Sequence, residues 1–345
     1  MIAKKKKISV IAICMTLIIC LFSGCGSGAD KDKDKKEGEG KKLKVVTTIF
    51  PAYDWSKKML GKNAKNADIT MLLDDGVDLH SYQPSAKDIA KISKCDVFVY
   101  VGGESDEWVK DALKEATNKK MIVINLMSKL GKSVKNEEVK EGMQAEHDHD
   151  HDKDKDHDHD KDKDHDHEHG EEPEKDEHVW LSLKNAKVCC AAISKALQKV
   201  DPENKDLYKQ NLKDYSKELS DLDKEYKKTV DSAKSKTLLF GDRFPFRYLV
   251  NDYGIEYFAA FVGCSAESEA SFKTVKFLAE KVDALGLKHI MTIEKNDHKI
   301  AKTIIKNTKA KNQDILTMDS MQATTGKDVK ESPSAWRTAD AYGPS

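Results

Sequence analysis

The chain lacks a surplus of charge of either sign, with 59 Lys and Arg against 60 Asp and Glu in 345 residues. Without a basic excess it has no electrostatic purchase on a phosphate backbone, and nucleic acid is not expected as a partner. Cysteine is scarce, and three of the seven, Cys14, Cys20 and Cys25, fall at the N-terminus. The other four, Cys95, Cys189, Cys190 and Cys264, have no zinc-ribbon spacing, so apolar packing is expected for each. No His-Glu-x-x-His helix is present, which removes the commonest signature of a metallohydrolase. The apolar run at 8–22 is too short to span a membrane.

That run has another use. It follows a basic head, Lys4 to Lys7, and ends in Ser23-Gly24-Cys25, the layout of an export signal. Cys25 stands where a bacterial lipoprotein signal places its lipidated cysteine, and the polar stretch 26–42 reads as a solvated tether. The protein is therefore expected on the extracytoplasmic face of a bacterial membrane, held by a lipid anchor, with 1–25 as signal peptide.

Beyond residue 42 the pattern is α/β. Strand-like runs at 43–50, 68–73, 96–102 and 121–126 alternate with helical patterns at 52–60, 85–93 and 106–117. A second set of strands, 237–241, 255–262, 289–294 and 314–318, has helical patterns around Tyr248 and at 269–285 and 298–309. Two lobes are expected, 43–200 and 235–330, each a mostly parallel four-stranded sheet with flanking helices and with a cleft between them. Joining them is 201–234, where Tyr208, Leu212, Tyr215, Leu219, Leu222, Tyr226 and Val230 make one apolar stripe on a charged helix. A helix of that span reaches roughly 50 Å. The tail 331–345 is polar and has no helical stripe; it reads as a natural polar tail or as the product of a reading frame altered near Ser332.

Histidine placement points to metal. Eight of the twelve histidines, His147, His149, His151, His157, His159, His165, His167 and His169, sit in a His/Asp-rich tract at 146–170 with nothing apolar to bury. They are expected to form an accessory set of weak metal sites. Two others belong to the folded part. His80 lies in Asp78-Leu79-His80-Ser81-Tyr82-Gln83-Pro84-Ser85, after the second strand, where open α/β sheets present ligand loops. His178 lies in Asp176-Glu177-His178-Val179-Trp180-Leu181-Ser182, beside bulky apolar residues. Imidazole suits zinc and its transition-metal neighbours, whereas calcium and magnesium prefer oxygen. A carboxylate from Asp319 or Glu294 is expected to complete the shell.

These motifs, with Thr47-Thr48-Ile49-Phe50-Pro51, Asp252-Tyr253-Gly254 and Met318-Asp319-Ser320, resemble the solute-binding proteins of zinc and manganese ABC importers, the zinc-specific lipoprotein branch in particular. The resemblance covers about 43–330. It implies two α/β lobes joined by a rigid helix, no enzymatic activity, Zn2+ (with Mn2+ as the alternative) held by His80, His178 and Asp319, and delivery of the ion by a monomer to an ABC permease. The histidine-rich insertion shifts the expectation toward zinc. At the family's third ligand position, however, stands Arg243, which has no lone pair to give. Asp242, Glu267, Glu269 or a histidine from the tract are the substitutes considered. An extracellular zinc hydrolase and a surface adhesin or zinc buffer without a transporter stay open as alternatives.

Overall fold

Strand β1 (Leu43–Thr47) leads into α1 (Phe50–Leu60), whose first turn carries Pro51, a position where the missing N–H costs nothing. The apolar run to residue 50 stops being a strand early because Ile49 is the extended N-cap of that helix. The computed structural model describes residues 42–144, 174–265 and 267–331. After α1 come β2 (Ala67–Met71), α2 (Ala86–Ser93), β3 (Val97–Tyr100), α3 (Val109–Lys114), β4 (Ile122–Asn125) and α4 (Leu126–Leu130). A capping box opens α2: the Ser85 hydroxyl takes the Asp88 N–H, and the Asp88 carboxylate takes the Ser85 N–H.

The four strands are parallel, in the order β2-β1-β3-β4. Val97, Phe98 and Val99 are all buried, as parallel strands covered on both faces require. The connections leave β1 in one direction toward β2 and cross to the other side for β3. Crevices of this kind, outside the carboxyl ends of the strands, are where such sheets bind ligands.

Helices α5 (Leu183–Val200) and α6 (Lys205–Ser232) precede the second sheet. That sheet contains β5 (Thr237–Phe244), β6 (Glu256–Val262), β7 (His289–Ile293) and β8 (Asp314–Met318), again parallel, in the order β6-β5-β7-β8. Around it lie α7 (Arg247–Tyr253), α8 (Phe272–Leu285), α9 (Lys299–Asn307) and the short α10 (Asp328–Glu331). Strand β5 continues past the expected 237–241, with a register shift between Phe240 and Arg243. Among the described residues no helix is long and apolar enough to cross a membrane.

The 28-residue α6 buries Tyr208, Tyr215 and Leu219 against the first lobe, next to α5 and α1. Tyr208 donates to Asp201 at 2.5 Å and accepts from Asn63 at 2.6 Å, tying the helix start to the turn after α1. Farther along, Tyr226 meets Tyr253 of α7 edge-on at 5.7 Å, so the same rod touches the second lobe.

One segment of 43–200 leaves the first lobe. The Lys135 N–H donates to Tyr248 and the Asn136 carbonyl accepts from Arg247. Glu138 pairs with Arg247, and the Gln144 N–H donates to Ala260. Residues 135–144 thus form a strap on the second lobe. The returning chain lies beside it, with Asn136 bridged to Lys175 and the Asp176 N–H donating to Lys135.

Candidate metal centre

His80 and His178 come from distant loops and meet. Their Nε2 atoms are 3.2 Å apart and their ring centroids 5.1 Å apart. His80 sits on a single turn, Leu79–Ser81, whose start is capped when Asp78 accepts the His80 N–H. Its Nδ1 faces the Ser105 hydroxyl at 2.8 Å, with a Glu177 oxygen 3.6 Å away. His178 is wholly buried. Asp176 accepts its backbone N–H at 2.9 Å and stands 3.1 Å from its Nδ1. Trp180, two residues on, donates to the Ser320 carbonyl at 2.7 Å, which pins the His178 turn to the loop after β8.

In each ring Nδ1 is engaged, and Nε2 faces the cleft. A carboxylate behind a ligating imidazole fixes the tautomer and raises its basicity, the usual support of a metal-bound histidine. Burial, followed by the neighbouring His178, pushes His80 down to about 3. Burial also opposes charge on His178, but the hydrogen bond and charge of Asp176 outweigh it and hold His178 above the ordinary imidazole value. The two rings thus differ: burial disfavours a proton on His80, and Asp176 favours one on His178.

The carboxylates expected in the shell are engaged elsewhere. Asp242 accepts N–H groups from Ile293 and Arg243, both at 2.9 Å. Glu294 accepts the Ser320 N–H at 2.8 Å and its hydroxyl at 2.7 Å, and Asp319 accepts the Met321 N–H at 2.8 Å. Burial raises the pKa of all three. Among the described residues none of them joins the group of close donor atoms that contains the two histidines. These strand-end carboxylates cap loops instead. Arg243 pairs with Asp78 across the cleft and donates to the Ser265 carbonyl at 3.4 Å. Arg243, and then His80, hold Asp78 below the usual carboxylate range despite its burial.

The third member of the close group is Cys264, whose Sγ and the two histidine donors all lie within 4.8 Å of one another. Nothing in its sequence setting separates it from a packing cysteine. For Cys95, Cys189 and Cys190 the expectation of apolar packing holds, since all three are buried in the apolar core. Cys264 belongs to neither apolar cluster. Cys25 and the eight tract histidines lie outside the described residues. Beside the histidines is a cavity of about 500 Å³ lined by Asp78, Asp242, Arg243, Glu294, Lys295 and Gln322. Gln322 also reaches His178, its Oε1 lying 3.0 Å from Nε2.

The profile of the family described as zinc-uptake complex component A, periplasmic, matches residues 45–335. The chain belongs to this family. It is 32% identical over 295 residues to the zinc-binding protein AdcA of Streptococcus pyogenes serotype M3, which covers 84% of the chain and 52% of that relative. It is 31% identical over 280 residues to the high-affinity zinc uptake system protein ZnuA of Bacillus subtilis, covering 81% of the chain and 80% of that protein. Among solved structures, the Zn(II)-bound ZnuA-like domain of Streptococcus pneumoniae AdcA superposes with a TM-score of 0.61 at 26% identity, covering 85% of this chain and 93% of that one. The chain spans about half the length of the AdcA relative. Both parallel sheets and the long helix are the architecture that the family resemblance implies.

Proposed function

We propose that the protein is an extracytoplasmic zinc-binding protein that captures Zn2+ between its lobes and hands it to the permease of an ABC importer. The observation that carries this reading is the opposed Nε2 pair, with Asp176 behind one ring and Ser105 and Glu177 behind the other. His80 and His178 are the ligands. The zinc-binding and zinc-uptake names of the AdcA and ZnuA relatives support the choice of ion. Binding and release of a cargo need no catalytic residue. A lipid on Cys25 anchors the chain, 26–42 tethers it, and the tract at 146–170 gathers metal for the cleft.

Competitive titration with zinc and manganese tests the reading. One tight zinc per chain is expected, preferred over manganese, retained when 146–170 are deleted and lost in His80→Ala and in His178→Ala. Tight binding that survives both alanines, or that disappears with the tract, refutes it. Delivery is tested separately: cells lacking the protein should fail to grow at scarce zinc and recover with the wild type but not with His178→Ala.

A further inference from the structure

Resting on that zinc-binding reading, we infer that the Cys264 thiolate is the third protein ligand of the ion, so that the centre is a His2Cys site made by His80, His178 and Cys264.

Position is the first argument. The Cys264 Sγ and the two imidazole donors lie within 4.8 Å of one another. Ligands of a tetrahedral zinc, at about 2.0 Å for nitrogen and 2.3 Å for sulfur, stand roughly 3.5 Å apart, so a small contraction suffices. The backbone is shaped for this approach. A Cβ on Gly263 would stand 3.1 Å from two atoms of the His178 ring and 2.9 Å from the Phe244 carbonyl. Only glycine lets the chain before Cys264 run against that ring.

The surroundings of the thiol are the second argument. It is outside the apolar clusters, unlike the other described cysteines. Glu137 accepts the Cys264 N–H at 2.9 Å and so fixes the residue from the strap. Beside His178, the buried Gln322 side chain leaves its Nε2 with no hydrogen-bond partner among the described residues. Orphaned groups of this kind mark a polar site built around a further occupant. Of the other candidates, Arg243 cannot ligate, Asp242, Glu294 and Asp319 accept backbone N–H groups, and Glu267 and Glu269 are exposed at the cavity and outside the close donor group.

Binding balances as Cys264–SH plus Zn2+ giving Cys264–S–Zn+ plus H+. The S–H electron pair becomes the sulfur–zinc bond, and the proton leaves toward Glu137 and water. A fourth position stays open to water or to the Gln322 carbonyl. Thiolate is a soft ligand, so this shell favours zinc over manganese, which is better served by carboxylates.

Cobalt(II) is the probe, added to the full chain and to Cys264→Ser, Cys264→Ala and Cys264→His. A thiolate ligand produces an intense sulfur-to-cobalt charge-transfer band in the near ultraviolet; imidazoles of the tract do not. The band should saturate at one cobalt per chain and vanish in all three variants. Zinc affinity should fall by at least ~100-fold in the serine and alanine variants, beyond the effect of most supporting residues, and recover in Cys264→His. Circular dichroism of the metal-free variants checks that they fold. Absence of the band in the wild type, with tight zinc still lost in His80→Ala and His178→Ala, overturns the thiolate ligand and leaves the interlobe reading standing. Tight zinc that survives both histidine variants overturns the two together.

Discussion

Buried carboxylates dominate the behaviour of individual residues. Asp106 accepts the Gly102 N–H at 2.9 Å with one oxygen, while the other is buried without a partner among the described residues. Burial pushes its pKa up to about 7. In the unfolded chain it returns to about 4, so the folded state binds the proton more tightly. Its contribution to stability is complete below that lower value and is lost as pH rises toward about 7; a shift of this size is worth on the order of 4 kcal/mol. Asp106→Asn should flatten the pH dependence of the unfolding midpoint in this window and stabilise the protein most at pH 8. A slope as steep as the wild type's would assign it to other groups. At the centre itself, His80 was legible because it follows a strand end, and His178 because it sits among Val179, Trp180 and Leu181 outside the repetitive tract. The place of Cys264 beside the two histidines was not legible: a single cysteine shows no spacing, and what brings it there is the fold of β6 against the strap. The carboxylates carry no deciding signal in the sequence, since Asp and Glu at strand ends cap loops as readily as they ligate.

For whole elements, the apolar runs sufficed to find the eight strands of the described residues, most clearly inner ones such as β3, which is apolar throughout because it is covered on both faces. Their ends were set by signals of another kind. Helix α1 took the end of the first run through Ile49 and Pro51, and β5 outran its apolar stretch by accommodating Asp242 and Arg243 at a register shift. The stripe on α6 identified the helix but not its partners, which are α5 and α1 along most of its buried side. Its start depends on polar contacts that no stripe reveals. Tyr208→Phe removes the hydroxyl that links Asn63 to Asp201 and should cost about 1–2 kcal/mol in denaturant unfolding, with an unchanged m-value. A loss below the error of that measurement would mean that Asn63 and Asp201 hold the turn unaided.

At the scale of the molecule, closure of the cleft has protein contacts of its own. Arg243 pairs with Asp78, the Gly326 N–H donates to Asp74 at 2.6 Å, and Asp75 bridges Thr325. Arg243→Ala should open the metal-free protein, raising its radius of gyration in small-angle scattering and speeding zinc release; an unchanged radius would assign closure to the backbone bridges. The two sheets also share one strand order, and His80 and Cys264 follow corresponding strands, β2 and β6, so each half brings one of the close donor atoms from the same place.

The strap has a kinetic meaning. Residues 135–137 run out beside 174–176 on the return, held by the Asn136–Lys175 bridge and the Glu137 N–H to the Glu174 carbonyl at 2.8 Å. Glu137, at this pairing, also accepts the Cys264 N–H, so the strap joins the chain before His178 to the loop after β6. If the tract at 146–170 gathers metal as proposed, tethering would present each ion to the cleft at an effective concentration on the order of millimolar, whatever the concentration outside. The tract would then set how often the cleft is visited, and the cleft how long the visitor stays.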